Sequence, residues 1–209
     1  MYQSYKNSSV YAIVNGMEYT YELSEDGTYY IITGISEYNS SVKNIVFPSK
    51  YNGLPVKEVK KEVSHNFVYS NLYFEGTIYD WCDISFESYS ANPMYYAENI
   101  YMLNNNDEYE WLKEIVIPEG VINIATLAFG ECTSLESVRL PEGLERIYDS
   151  VFHNCSSLEE IHIPETVKEI QTDIFYGCTS LKSATYSATA TVGLYAFEDC
   201  HDDFVANKN

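Results

Sequence analysis

The sequence predicts an α+β repeat solenoid: a right-handed coil of short β-strands and short helical turns, closed at its N-terminal end by a β-hairpin. Three observations predict it. One sequence unit recurs four times over 112–200. Within each copy an alternating apolar pattern gives way to a clustered one. A hairpin pattern stands before the first coil.

LKEIVIPEGVINIATLAFGEC fills 112–132, LESVRLPEGLERIYDSVFHNC 135–155, LEEIHIPETVKEIQTDIFYGC 158–178 and LKSATYSATATVGLYAFEDC 181–200. The first three keep strict 23-residue register and the fourth is one residue short. A repeat of this length marks stacked units, each of which buries its apolar stripe only against the next. Ile115 and Ile117 alternate inward around an outward Val116, as in a strand. Pro118 removes a ladder donor and ends it. Residues 121–124 return as a second extended piece, and 126–129 read as about one turn of helix ended near Gly130. The last copy has Ala184 in place of Ile and Ser187 in place of Pro, which predicts a core that loosens toward the C-terminus.

Upstream, KNIVFPSKYNGLPVKEV (43–59) is the same strand and return. Ile45, Phe47 and Pro48 stand for Ile115, Ile117 and Pro118, and the turn, lengthened by five residues, holds Asn52-Gly53. In MEYTYELSEDGTYYIITGI (17–35), Tyr19, Tyr21 and Leu23 alternate, Asp26-Gly27 turns, and Tyr29, Ile31 and Thr33 alternate back. A solenoid needs its open end covered, so this hairpin is read as a cap. One domain follows: N-terminal extension and cap (1–41), first coil with its turn insertion (42–64), divergent coils (65–111), four regular repeats (112–200) and a C-terminal tail (201–209).

The divergent stretch carries 13 aromatic residues in 47. Strands are expected over 71–74 and Ala97–Leu103, and a short helix through Cys82 N-capped by Thr77, with Trp81 inward. The aromatics are expected mainly to fill coil volume. A second possibility is a sugar- or peptide-binding aromatic edge on SANPMYY with Tyr89, Tyr95 and Tyr96, provided these rings reach solvent.

A formal net charge of −19 over 209 residues repels nucleic-acid phosphates and anionic lipid. No basic head or apolar run opens the N-terminus, so no signal peptide is expected in the chain, and no stretch is apolar enough to insert in a membrane. Of the five cysteines, Cys132, Cys155, Cys178 and Cys200 recur once per coil. Equivalent side chains in stacked coils lie about 4.8 Å or more apart, too far for a disulfide, and single cysteines do not converge on a metal. A ladder of reduced, packed thiols is expected, with no disulfide, metal or cofactor. His153 near Cys155 and His201 beside Cys200 are weighed as Cys–His nucleophiles and set aside, because the thiols occupy the core column. Glu160, His162 and Glu165 read as solvated surface. Asn7, Asn39 and Asn154 head glycosylation patterns.

The outward strand positions form the expected binding face: Asn44 and Val46, then Glu114 and Val116, Ser137 and Arg139, Glu160 and His162, Ser183 and Thr185. This strip is mixed in charge and offers no aromatic platform.

Leu112, Ile115, Ile117, Pro118, Val121, Ile124, Ala128, Phe129 and Cys132 carry a pattern that resembles the BspA-type leucine-rich repeat of bacterial surface proteins. YELSEDGTYYIITGI followed by IVFPSKYNGLPV is similar to the N-terminal entry of such proteins. The resemblance covers roughly 17–64 and 97–200. It implies a leucine-rich-repeat-like coil, a cell-surface or secreted location, and a non-enzymatic role in adhesion or in binding a host or neighbouring-cell protein or glycan. A structural spacer is the alternative. A parallel β-helix enzyme is a third, against which the outward columns show no grouped catalytic carboxylates.

Overall fold

The computed structural model describes residues 10–14, 17–37, 44–60, 69–104 and 106–209. The chain enters as an antiparallel meander of β1 (Val10–Val14), β2 (Met17–Leu23) and β3 (Tyr30–Glu37). The β2–β3 hairpin matches the expectation, and β1 adds a strand to it. The first coil follows as β4 (Asn44–Pro48), β5 (Lys50–Tyr51) and β6 (Leu54–Val59). Its insertion folds into a tight hairpin, Tyr51 opposite Leu54, with Asn52 and Gly53 both left-handed (φ 48° and 81°) as a two-residue turn of that twist requires. The cap docks by pairing β3 parallel to β6 and by packing tyrosines on the coil. Tyr21 stacks on Tyr51 at 4.1 Å, and the buried Tyr19 meets Phe47 edge-on and donates its hydroxyl to the Val46 carbonyl at 2.6 Å.

β7 (Tyr69–Glu75) lies parallel to β4. Thr77 then caps α1 (Ile78–Trp81) reciprocally with Asp80, and Trp81 is fully buried. β8 (Ser85–Phe86) pairs with β6. Two 3₁₀ turns, Tyr89–Ala91 and Pro93–Tyr96, lead into β9 (Ala97–Leu103), parallel to β7, and β10 (Tyr109–Trp111) folds back antiparallel on β9.

The regular coils supply a first strand and a return each. These are β11 (Glu114–Val116) and β12 (Asn123–Ile124), β13 (Ser137–Arg139) and β14 (Arg146–Ile147), β15 (Glu160–His162) and β16 (Glu169–Ile170), β17 (Ser183–Tyr186) and β18 (Thr191–Val192). Residues 205–208, expected in a solvated tail, instead form β19 (Val205–Lys208), parallel to β17. Glu160 pairs with Ser183 but Glu169 with Thr191, so the residue missing from the last copy falls between β17 and β18.

The expected α+β class and helical turns need correction. Among the described residues the only α-helix is α1, and 126–129 and its equivalents are turns. The reason is in the backbone. Leu127, Ser150, Asp173 and Tyr195 are left-handed, as are Glu131, Asn154, Gly177 and Asp199. A left-handed residue breaks the run of right-handed dihedrals that a helix needs. N–H groups alternate here. Those of Ala128, Gly130 and Cys132 bond three residues back, whereas those of Leu127, Phe129 and Glu131 reach Asp149, Val151 and His153 in the next coil. A helix would have kept every donor within its own coil.

This stacking builds columns. The rings of Phe129, Phe152, Phe175 and Phe197 lie nearly parallel, with centroids 5.7, 5.5 and 5.4 Å apart. Leu135, Leu158 and Leu181 form another buried column, as do Ile124, Ile147 and Ile170. The predicted loosening does not begin at Ala184 and Ser187, which are both buried. It begins one strand later, where Val192, Leu194 and Tyr195 are 44%, 71% and 57% exposed.

The divergent segment solves a specific problem. By analogy with Asp149, Val151 and His153, the carbonyls of Thr126, Ala128 and Gly130 each want a donor from the preceding coil. They receive the Phe86 backbone N–H, the Trp81 indole N–H and the Asn92 side-chain amide. Asn92 also bonds the Leu127 carbonyl at 2.8 Å, while its own oxygen caps Met94 N–H at 2.9 Å. Asn92→Leu keeps the volume and removes all of these bonds. It is expected to cost about 2–4 kcal/mol by urea unfolding, against less than about 0.5 for the exposed Asn123→Leu. Equal midpoints for the two variants would contradict this account.

Candidate binding surfaces

Successive side chains of a strand point to opposite faces, so parallel in-register strands turn each outward position into a row. The structure places the expected positions as cross-strand pairs in two separate sheets. Glu114 pairs with Ser137 and Val116 with Arg139; Glu160 pairs with Ser183 and His162 with Thr185. Glu114, Val116, Ser137, Arg139, Glu160 and His162 are exposed, and Thr185 is half-buried.

The expectation that this face lacks an aromatic platform is overturned. The divergent coils insert β7 and β9 beside β4, in register. Val46, Tyr73 and Tyr101 form one row, and Asn44, Asn71 and Asn99 another. β10 sets Trp111 opposite Tyr101. Tyr73 and Tyr101 stack at 4.9 Å with planes 14° apart, and Tyr109 meets Tyr73 edge-on at 5.1 Å. Tyr109 and Trp111 are 42% and 46% exposed, and Lys113 Nζ sits 4.8 Å over the Trp111 ring while pairing with Glu136. Partial burial, then the nearby Glu75, raises the Tyr109 phenol above its ordinary value. The amide row is hydrogen-bonded, Asn71 Nδ2 to Asn44 Oδ1 at 2.8 Å and Asn99 Nδ2 to Asn71 Oδ1 at 3.3 Å. The signal is present in the sequence: NIVFP, NLYFE and NIYML (44–48, 71–75, 99–103) share Asn, an inward aliphatic and an outward Val or Tyr. Aromatic richness and irregular spacing hide it.

The aromatic edge also reaches solvent. Tyr95 is exposed and Tyr89 and Tyr96 are half-buried. With Ser88, Ser90, Glu131 and Asn154 they line an open depression of about 640 Å³. His153 lies between Tyr89 and Tyr176, 4.4 and 5.2 Å from their ring centres, with Nδ1 3.3 Å from Glu131 Oε1. It is thus packed against tyrosines and a carboxylate, with no hydrogen bond to the Cys155 thiol. Asn154, in a glycosylation pattern, donates its amide to the same Glu131 oxygen at 3.0 Å. Asn7, Asn39 and His65 lie outside the described residues.

Three of the four repeat thiols have a structural partner in the coil before. Cys155, Cys178 and Cys200 donate to the carbonyls of Phe129, Phe152 and Phe175 in the coil before, at 3.2, 3.1 and 3.4 Å. All five cysteines are free, and only Cys200 is partly exposed. Burial pushes Cys82, Cys132 and Cys200 up to about 12 and raises Cys155 and Cys178 too. Among the described residues, no three His, Cys, Asp or Glu side chains are placed to hold a metal ion, and no helix is long and apolar enough to cross a membrane.

The stacked coils and their ordered outward rows define a solenoid repeat protein of the leucine-rich kind. Residues 104–203, just under half of the chain, match the sequence model of the BspA type leucine rich repeat region in six copies. Over those residues the chain is similar to the BspA-type leucine-rich repeat. Among solved structures, a leucine rich cell surface protein from Faecalibacterium prausnitzii superposes with a TM-score of 0.56 at 17% identity, over 97% of this chain and 52% of that one. The chain thus spans about half the length of that relative, and at this identity the likeness shows the fold. A T. pallidum leucine rich repeat protein (TM-score 0.46, 22% identity, 85% of this chain and 79% of that one) and a Bacteroides ovatus leucine-rich repeat protein (0.45, 17%, 93% and 60%) are more distant in shape. No curated protein matches the chain.

The thiols give a pH dependence. An acid with a raised folded pKa keeps its proton after the unfolded chain has lost its own. Stability is therefore complete below about pH 8.5, the free-thiol value, and falls as pH climbs from there toward 12. Each fully buried thiol contributes at most about 1.4 kcal/mol per pH unit in that window. Urea midpoints are expected to drop steadily between pH 8 and 10, and a flat profile would contradict protonated core thiols.

Proposed function

We propose that the chain is a non-enzymatic binding module of a bacterial cell-surface protein that engages a protein partner through its sheet face. The observation that carries this reading is the cluster of half-buried Tyr73 and Tyr101 with exposed Tyr109 and Trp111, on a chain that also presents the cross-strand pairs Val116–Arg139 and His162–Thr185. Large aromatics on an open face suit a protein interface, because they offer apolar area with few rotatable bonds. A protein is favoured over a glycan by how the rings are used. Tyr73 and Tyr101 cover each other, and Lys113 lies over Trp111. A pyranose stacks on open ring faces, and few remain here. A non-enzymatic role is supported by cysteines whose thiols stay protonated at neutral pH and by His153 packed between two tyrosines. The net charge of −19 disfavours nucleic acid and anionic lipid as partners.

Surface plasmon resonance of the intact protein against purified host matrix and cell-surface proteins, run beside a glycan array, tests this. A protein hit is expected, weakened about tenfold or more by Tyr101→Ala with Trp111→Ala, and several-fold by Glu114→Ala, Arg139→Ala and His162→Ala together. Binding confined to glycans would move the assignment to carbohydrate. A clean negative on both panels would favour the spacer alternative, a rigid solenoid that holds other segments apart.

A further inference from the structure

We propose that the depression at the aromatic edge receives a cationic side chain, arginine or lysine, from a protein partner. It stands apart from the sheet-face reading, since none of its lining residues lies on β4, β7, β9, β10, β11, β13, β15 or β17.

Its chemistry comes from two origins brought together by folding. The 3₁₀ turns and their flank supply Ser88, Tyr89, Ser90, Tyr95 and Tyr96, and the regular coils supply Glu131 and Asn154. The Glu131 side chain is only 14% exposed, yet no lysine or arginine lines the depression. One carboxylate oxygen, Oε1, is fixed by the Asn154 amide at 3.0 Å and faces His153 Nδ1 at 3.3 Å. The other, Oε2, has no hydrogen-bond partner among the described residues. A carboxylate largely enclosed by its neighbours, with one oxygen short of donors and open to the depression, favours a charge-assisted bond to an incoming cation. Tyr95 and Tyr96, edge-to-face at 4.9 Å, and Tyr89, which also lines the depression, add ring faces, which attract cations through their quadrupoles. Ser88 and Ser90 offer hydroxyl oxygens to the remaining N–H groups. The protein's net charge of −19 draws basic partners toward it, and the depression gives that general attraction one seat.

The left-handed backbone at Glu131 and Asn154 sets nothing apart, because Gly177 and Asp199 repeat it in later coils. What is particular to this coil is the carboxylate beside the tyrosine-bearing turns.

The test titrates the intact protein with acetyl-Gly-Arg-Gly-amide, its lysine counterpart and a neutral citrulline counterpart, following tyrosine ring resonances by NMR. Saturable shifts at Tyr89, Tyr95 and Tyr96 are expected with the cationic peptides and not with citrulline. Glu131→Gln keeps the oxygen that accepts from Asn154, so the fold is retained. It is expected to weaken binding about tenfold or more. Tyr95→Ala, at an exposed position, is expected to weaken it several-fold, and Glu165→Gln, the same loss of charge elsewhere on the exposed surface, to leave it unchanged. Equal losses in Glu131→Gln and Glu165→Gln would reduce the effect to the general acidic field and overturn the proposal, as would citrulline binding as well as arginine. Neither result bears on the sheet face.

Discussion

Backbone N–H groups that leave their own coil hold this molecule together. Leu127, Phe129 and Glu131 donate to carbonyls of the next coil, as do Ser150, Phe152 and Asn154, and Asp173, Phe175 and Gly177 still do the same into the shortened copy. Every other donor in these turns is committed to the next coil, and the first and last of each set, such as Leu127 and Glu131, are themselves left-handed. This commitment fixes the distance between coils near the spacing of a β ladder. The phenylalanine rings at about that spacing stack face to face, and Cys155, Cys178 and Cys200 each meet the carbonyl of the phenylalanine one coil earlier. The thiol is a weak donor of the right length for a crowded position, and burial keeps it protonated.

A ladder of this kind has an entrance problem, because the first regular coil has carbonyls that no identical coil precedes. Here the indole of Trp81 and the amide of Asn92 act where backbone donors act elsewhere. That explains why a large aromatic and a polar side chain are both fully buried in an irregular segment. The segment is free to depart from the repeat as long as it presents three donors. The cap meets the same need by a different route, pairing β3 with β6 and sealing the tyrosines of the hairpin against Phe47 and Tyr51.

The same regularity shapes the surfaces. Parallel pairing copies an outward residue from strand to strand, so similar side chains in consecutive coils become a row, as with Asn44, Asn71 and Asn99 or Val46, Tyr73 and Tyr101. Irregular pieces then add chemistry that no single repeat encodes. The 3₁₀ turns lay tyrosines across the corners of later coils, where Tyr89 packs on His153 from a distant part of the sequence.

The sequence by itself determined the repeat, its register, the inward set of Leu, Ile, Val and Phe, the hairpin cap, the Thr77-capped turn with Trp81 inside and the outward order from Glu114 to Thr185. These follow from local spacing, and local spacing is what a strict repeat reports. Tertiary structure decided the rest. The apparent helical turn at 126–129 became a corner because its donors were claimed by a neighbouring coil, a competition that no apolar pattern records. The C-terminal residues became β19 because β17 offered a free edge. Tyr73, Tyr101 and Trp111 became one platform because unequal loops returned their strands to the same sheet. Tyr95 and Glu131 came to share a depression although a whole coil of chain separates them. Pairings of this kind depend on where the chain returns in space, and only the folded coil fixes that.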